Sequence, residues 1–150
     1  MNAMVQANNL GRRFGRRWAV ARVNLTIGAD ERLLVIGPNR CGKTTLLRLL
    51  STLLSADQGS IEWVAGGASH RESIGLMAHE AGVYEDLSAA ENLAVFAPFV
   101  NAQLNEIPAL LDTVGLDERT DPVSRYSAGM RRRLALAMLL QKQPRLALLD

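Results

Sequence analysis

The sequence predicts an α/β chain with a parallel-sheet core, and three observations carry the prediction. An all-apolar run, a glycine-rich turn and an amphipathic helix follow one another over residues 32–54. A second all-apolar run, Leu146 to Leu149, leads to Asp150. Between the two lie segments whose apolar residues recur at helical spacing, so short buried strands and longer helices alternate, the pattern of a parallel sheet flanked by helices.

Val23 to Ile27 alternates apolar and polar residues and reads as a half-buried strand. Leu33, Leu34, Val35 and Ile36 form an unbroken run before Gly37-Pro38, the signature of a strand buried on both faces. From Gly42 to Leu54, Leu46, Leu47, Leu49, Leu50, Leu53 and Leu54 predict a helix. Ser60 to Val64 and Ser73 to Met77 are short strands on either side of Gly66-Gly67. Ser88, with Glu91 three residues on, is a capping box opening a helix through Leu93, Val95, Phe96 and Phe99, which Pro98 should kink or end. Ile107, Leu110, Leu111 and Val114 predict another helix, stopped at Gly115. Ser127 caps a stronger one through Leu134, Leu136, Met138, Leu139 and Leu140, interrupted at Pro144.

With 150 residues, 48% of them hydrophobic and 21% charged, the composition is that of a globular domain and excludes disordered, collagen-like and coiled-coil chains. A net charge of +2 is too small to mark a general nucleic-acid or membrane-surface adhesive. Of the 17 basic residues only Lys43 and Lys142 are lysines, a bias that a GC-rich coding sequence explains. A single cysteine, Cys41, allows neither an internal disulfide nor a zinc cluster, and points to a reducing compartment. No apolar run approaches the roughly 18 to 20 residues of a membrane span.

Gly37-Pro-Asn-Arg-Cys-Gly-Lys-Thr44 fits the phosphate-loop pattern, with a predicted strand before it and a helix after it. Its glycines let backbone amides turn toward phosphates, and the helix aims the positive end of its dipole at them. Lys43 is placed to reach the β and γ phosphates, and the Thr44 hydroxyl to bind Mg²⁺. Pro38, Asn39, Arg40, Cys41 and Thr45 complete the candidate nucleotide-binding set. Arg40 either touches the nucleotide or points to solvent. Cys41 lies at the predicted helix N-terminus, where it either serves as a reactive thiol or is simply a small residue that fits the turn. Alkylating it is expected to block nucleotide binding, and unchanged ATP affinity after complete modification would show otherwise.

Ser127-Ala-Gly-Met-Arg-Arg-Arg133 resembles the signature motif of the ATP-binding cassette (ABC) ATPases, usually written Leu-Ser-Gly-Gly-Gln. Ser127 and Gly129 are kept. Tyr126 stands for the leucine, Ala128 for the first glycine and Met130 for the glutamine. The order of motifs along the chain is that of an ABC nucleotide-binding domain, and the resemblance covers nearly all of it. It implies a P-loop NTPase fold with an antiparallel β portion and a helical insert. Residues 1–87 would be the β portion and P-loop core, 88–141 the helical insert with the signature helix, and 144–150 the Walker B strand. Asp150 would then support Mg²⁺ as a catalytic residue. Phe14 matches the aromatic that stacks on adenine, with Trp18 a rival for that task.

The family's Q-loop glutamine is replaced by His79, a candidate catalytic and metal-binding residue that titrates near neutrality. His70 has no motif around it and reads as a surface residue. The His79-x-x-Gly run and Ala90-Glu-Asn-Leu93 are similar to the ATP-binding subunits of bacterial haem exporters of cytochrome c maturation. The resemblance further implies ATP and Mg²⁺ as ligands and a second nucleotide-binding domain, met head to tail. It also implies an integral membrane subunit and a place on the inner face of the cell membrane, with no nucleic acid expected. The family's catalytic glutamate and switch histidine would fall after Asp150, so the chain is expected to be C-terminally incomplete, to bind nucleotide and to hydrolyse it little. A soluble ABC protein acting on ribosomes or DNA, or a non-hydrolysing nucleotide-binding regulator, are the alternatives.

Overall fold

The computed structural model describes residues 3–63, 71–78, 82–116 and 120–150. It is a mixed α/β chain that divides into two compact units, residues 1–76 with Asp150, and residues 77–149. Val64, His70 and His79 lie outside the described residues.

The first unit is built on two 12-residue strands, β1 (Ala3–Phe14) and β2 (Arg17–Gly28), paired antiparallel through a tight turn. The sequence reading names no strand at residues 3–14. Val5 and Ala7 alternate with polar neighbours, but Asn8 and Asn9 break the period. The chain accommodates them with register shifts, and Asn9 sits at φ 51° with its N–H donating to Asn24 Oδ1 at 2.8 Å. β3 (Gln58–Trp63) pairs antiparallel with the other edge of β1, giving the order β2-β1-β3. Val5, Ala7, Leu10, Val20 and Ile27 of this sheet are buried, as are Leu46, Leu49 and Leu50 of helix α1 (Lys43–Leu50) and Ile74 of strand β4 (Ile74–Met77).

Two expectations need correction here. The apolar run Leu33 to Ile36 forms no strand: residues 31–38 have no regular structure, and Leu34 and Ile36 are 79% and 85% exposed. Composition predicts that a run prefers to be buried, but a strand exists only with a ladder partner, and none of the described residues pairs with this one. Helix α1 also stops four residues early. Ser51 closes it, its N–H donating to Leu47 O and its hydroxyl to Arg48 O, and Thr52 turns to φ 63°. Leu53 is left exposed.

The second unit is helical but for its last strand. Helices α2 (Ala89–Val100), α3 (Ile107–Thr113) and α4 (Ala128–Lys142) share a core of Ala89, Leu93, Ile107, Leu111, Val114, Leu116, Val123, Tyr126, Leu134 and Ala137. α2 starts with the expected capping box, in which the Glu91 N–H donates to Ser88 Oγ while the Ser88 N–H donates to Glu91 Oε2 at 2.8 Å. Pro98 is carried in its last turn, and the helix ends at Asn101 in the left-handed conformation. α3 is followed by Gly115 at φ 67°, and α4 is closed by Gln143 at φ 49° just before Pro144. Strand β5 (Leu146–Leu149) ends the unit. No helix among the described residues is long and apolar enough to cross a membrane.

Candidate functional site

The phosphate-loop segment wraps around its own lysine. Lys43 Nζ donates to the carbonyls of Gly37 at 2.9 Å and Pro38 at 2.8 Å, and lies 3.9 Å from Cys41 Sγ. The loop is thereby drawn into a bend whose amides precede helix α1. Gly42, the residue before that helix, has φ 102°, and a Cβ there would lie 2.1 Å from Ala19 O of β2. Only glycine meets both demands, so this position fixes the loop against the sheet. Gly37 is the second constraint, since its Cβ would fall 2.7 Å from Cys41 Sγ. A glycine-lined bend at a helix N-terminus is what a polyphosphate requires, although here the Cys41 N–H donates to Pro38 O at 3.4 Å. Pro38, Asn39, Arg40 and Cys41 are exposed on the bend and Thr45 is half-buried behind it; Arg40 takes the left-handed conformation at φ 67°.

Thr44 and Asp150, both candidate Mg²⁺ residues, are brought together within the first unit. The Thr44 hydroxyl donates to Asp150 Oδ1 at 2.9 Å across 106 positions of sequence. A hydroxyl and a carboxylate at the lip of a phosphate cradle are hard oxygen donors, the kind Mg²⁺ takes alongside waters and phosphate oxygens. No group of three or more His, Cys, Asp and Glu gathers among the described residues, so these two donors are the metal candidates that can be placed. His79, the third candidate, lies outside the described residues.

The aromatic candidates stand at the β1–β2 turn, one to five residues before the Ala19 carbonyl that touches Gly42. Phe14 ends β1, opposite Arg17, and is 54% exposed. The Arg12 guanidinium lies 5.3 Å from its ring centroid. Trp18, 45% exposed, is more hemmed in: Arg13 lies 5.9 Å over its ring, and a Cβ on Gly11 would meet Trp18 Cζ3 at 2.9 Å. Of the two rings, that of Phe14 is the more exposed.

In the second unit, Ser127 is the N-cap of α4, its hydroxyl accepting the Met130 N–H at 3.3 Å, and Gly129 sits in the exposed first turn. This end of α4 is tied to the segment before α2. Val123 N–H donates to Leu87 O at 2.9 Å, Ser124 N–H to Glu85 O at 2.8 Å, and Ala89 N–H to the buried Tyr126 hydroxyl at 3.3 Å. Arg131 pairs with Glu85 and donates to the carbonyls of Tyr126 and Ser124. That hydrogen bond holds the Glu85 carboxyl below its ordinary value and raises Arg131. Asn92 is the hub of the same region. Buried, it donates to the carbonyls of Tyr84, Leu87 and Ser88 and accepts the Tyr84 N–H at 2.7 Å.

Sequence reasoning missed the role of Asn92 and the Glu85–Arg131 pair. Asn92 carried a signal, an asparagine among the apolar residues that open a helix. The ion pair carried none, because its partners stand 46 positions apart and Glu85 lies in a turn between elements.

The profile of the family described as ABC transporter matches residues 20–150. The lantibiotic transport ATP-binding protein SrtF of Streptococcus pyogenes is 35% identical over 152 residues, covering 98% of this chain and 66% of that protein. A cytochrome c biogenesis ATP-binding export protein of Cupriavidus metallidurans is 35% identical over 158 residues, 99% of this chain and 74% of its own length. The chain thus spans about two thirds of the length of such curated relatives. Among solved structures, the ATP-binding subunit of an ABC transporter superposes with a TM-score of 0.85 at 19% identity, over 98% of this chain and 65% of that one. A dimeric ATP-binding cassette bound to ADP and Pi does so with 0.82 at 22% identity, over 98% and 73%. At these identities the superpositions speak for the P-loop NTPase fold alone.

Proposed function

Because the chain belongs to the ABC transporter family, matching its profile over residues 20–150, we propose that it is the ATP-binding part of an ABC transporter. It binds ATP with Mg²⁺, hydrolyses little by itself, and serves a transporter that couples ATP binding and hydrolysis to the work of a separate membrane subunit. The observation that carries this reading is the Thr44–Asp150 hydrogen bond of 2.9 Å at the lip of the glycine cradle. Two oxygen donors from distant parts of the chain meet where a phosphate-bound cation belongs.

In this reading the amides of residues 37–44 and the N-terminus of α1 receive the phosphates. Lys43 releases the Gly37 and Pro38 carbonyls and turns to the β and γ phosphate oxygens. The Thr44 hydroxyl and the Asp150 carboxylate would hold Mg²⁺, which neutralises charge on those oxygens when bound. Phe14 stacks on the base. Ser127 and Gly129, at the exposed N-terminus of α4, meet the γ phosphate held by a second copy in a head-to-tail dimer. His79 takes the place of the family's glutamine toward Mg²⁺ and the membrane partner. Residues 1–87 act as β portion and P-loop core, 88–141 as helical insert and 144–150 as the Walker B strand. The assembly works at the cytoplasmic face of the membrane.

Haem export for cytochrome c biogenesis is the cargo we favour. Its support is the His79-x-x-Gly run together with the 35% and 34% identity to cytochrome c biogenesis export proteins of Cupriavidus metallidurans and Nitrosomonas europaea. Calorimetric titration with ATP tests the core of the reading. Lys43→Ala should weaken binding by roughly 10-fold or more, as loss of a charge-assisted hydrogen bond does. Thr44→Val and Asp150→Asn should erase the gain in affinity that Mg²⁺ gives while sparing Mg²⁺-free binding. Parental affinity in Lys43→Ala would refute it.

A further inference from the structure

We infer that Arg12 is a positioning residue for the base: held by Asp57 and Ser55, it covers one face of Phe14 and presents the other face to the nucleotide. The inference rests on the reading of Phe14 as the base-stacking residue. Arg12 NH1 donates to Ser55 O at 3.1 Å and pairs with Asp57 Oδ1 at 3.4 Å. The other carboxylate oxygen, Asp57 Oδ2, accepts the Arg13 N–H at 2.8 Å, and Asp57 N–H donates to Gly11 O at 2.9 Å. One aspartate therefore fixes both the backbone of β1 just before Phe14 and the guanidinium that lies over its ring.

The guanidinium is not placed by hydrogen bonding alone. Its Nε is buried with no hydrogen-bond partner among the described residues, while the charged group sits 5.3 Å from the Phe14 centroid. A cation over the face of an aromatic ring is attracted by the ring quadrupole, which offsets part of that loss. A Phe14 ring that is 54% exposed and free to rotate would lose rotamer freedom when a base stacked on it. A ring already held from one side loses less, and only its other face is left for the base. The turn is also in the right place, since β2 continues from it to the Ala19 carbonyl against Gly42 of the phosphate loop.

The effect belongs to the base and not to the phosphates, which sets the test. The intact protein and its Arg12→Ala, Arg12→Lys and Asp57→Asn variants are titrated with ATP and with inorganic tripolyphosphate, each in Mg²⁺. Thermal melting checks that each variant folds. Arg12→Ala and Asp57→Asn should weaken ATP by about 3-fold, the scale of one exposed cation–π contact, and leave tripolyphosphate unchanged. Arg12→Lys, which keeps the cation, should recover part of the loss. If Arg12→Ala does not fold, Arg12→Lys and Asp57→Asn make the same comparison. In a Phe14→Leu background, Arg12→Ala should have no further effect on ATP. Equal losses for ATP and tripolyphosphate, no loss for either, or an undiminished loss in the Phe14→Leu background would overturn the inference. Parental ATP affinity in Phe14→Leu itself would instead remove the premise, a result separate from any behaviour of Arg12.

Discussion

Gly42 shows how a single position can fix a site. Its left-handed backbone and the Ala19 carbonyl 2.1 Å from any Cβ hold the phosphate loop to the sheet. Gly42→Ala must therefore push β2 and the loop apart. The expected outcome is a fall in melting temperature together with loss of ATP binding, read by thermal denaturation and calorimetry; normal binding would mean the loop is not set by this contact. Cys41 is the chemical counterpart. Its exposed thiol packs on Gly37 and lies near Lys43 Nζ, so an alkyl group there occupies the bend where phosphates would enter. Both residues could be singled out from the phosphate-loop pattern, whereas the carbonyl that enforces Gly42 could not, because it comes from another element.

At the scale of elements, α2 was legible because its cap is local. Ser88 and Glu91 satisfy each other's backbone within one turn, and no distant partner is needed. The same contacts make the element sensitive to acid. Hydrogen bonds from the Ser88 N–H, then from its hydroxyl, hold the Glu91 carboxyl below its ordinary 4.5. The stability this gives is complete above pH 4.5 and is lost as pH falls through the lowered value. Glu85, lowered by Arg131, adds to it in the same direction. Melting temperature should therefore drop below about pH 4.5 and the drop should shrink in Glu91→Gln; an unaltered acid limb in that variant would count against the assignment. The opposite case is the run Leu33 to Ile36, where an equally clear pattern gave no strand. Its partners had to come from elsewhere in the chain, and hydrophobicity alone does not supply them.

For the molecule as a whole, the helical unit's stability rests on a core that α2, α3 and α4 build together. Leu134, fully buried within it, should cost about 2–5 kcal/mol on truncation to alanine, measured as a lower denaturant midpoint. A change of a few tenths would mean that this core collapses around the gap. The sequence by itself determined the phosphate-loop pattern, the caps of α2 and α4, the helical segments and the family they resemble. All of these are written in short spacings that act within one turn or one loop. Only the tertiary structure decided that Thr44 meets Asp150 and that Asp57 ties Arg12 beside Phe14. It also decided that Asn92 gathers the segment before α2. Each of these depends on chain closure between residues far apart in sequence, and side-chain pairing of that kind leaves no periodicity to read.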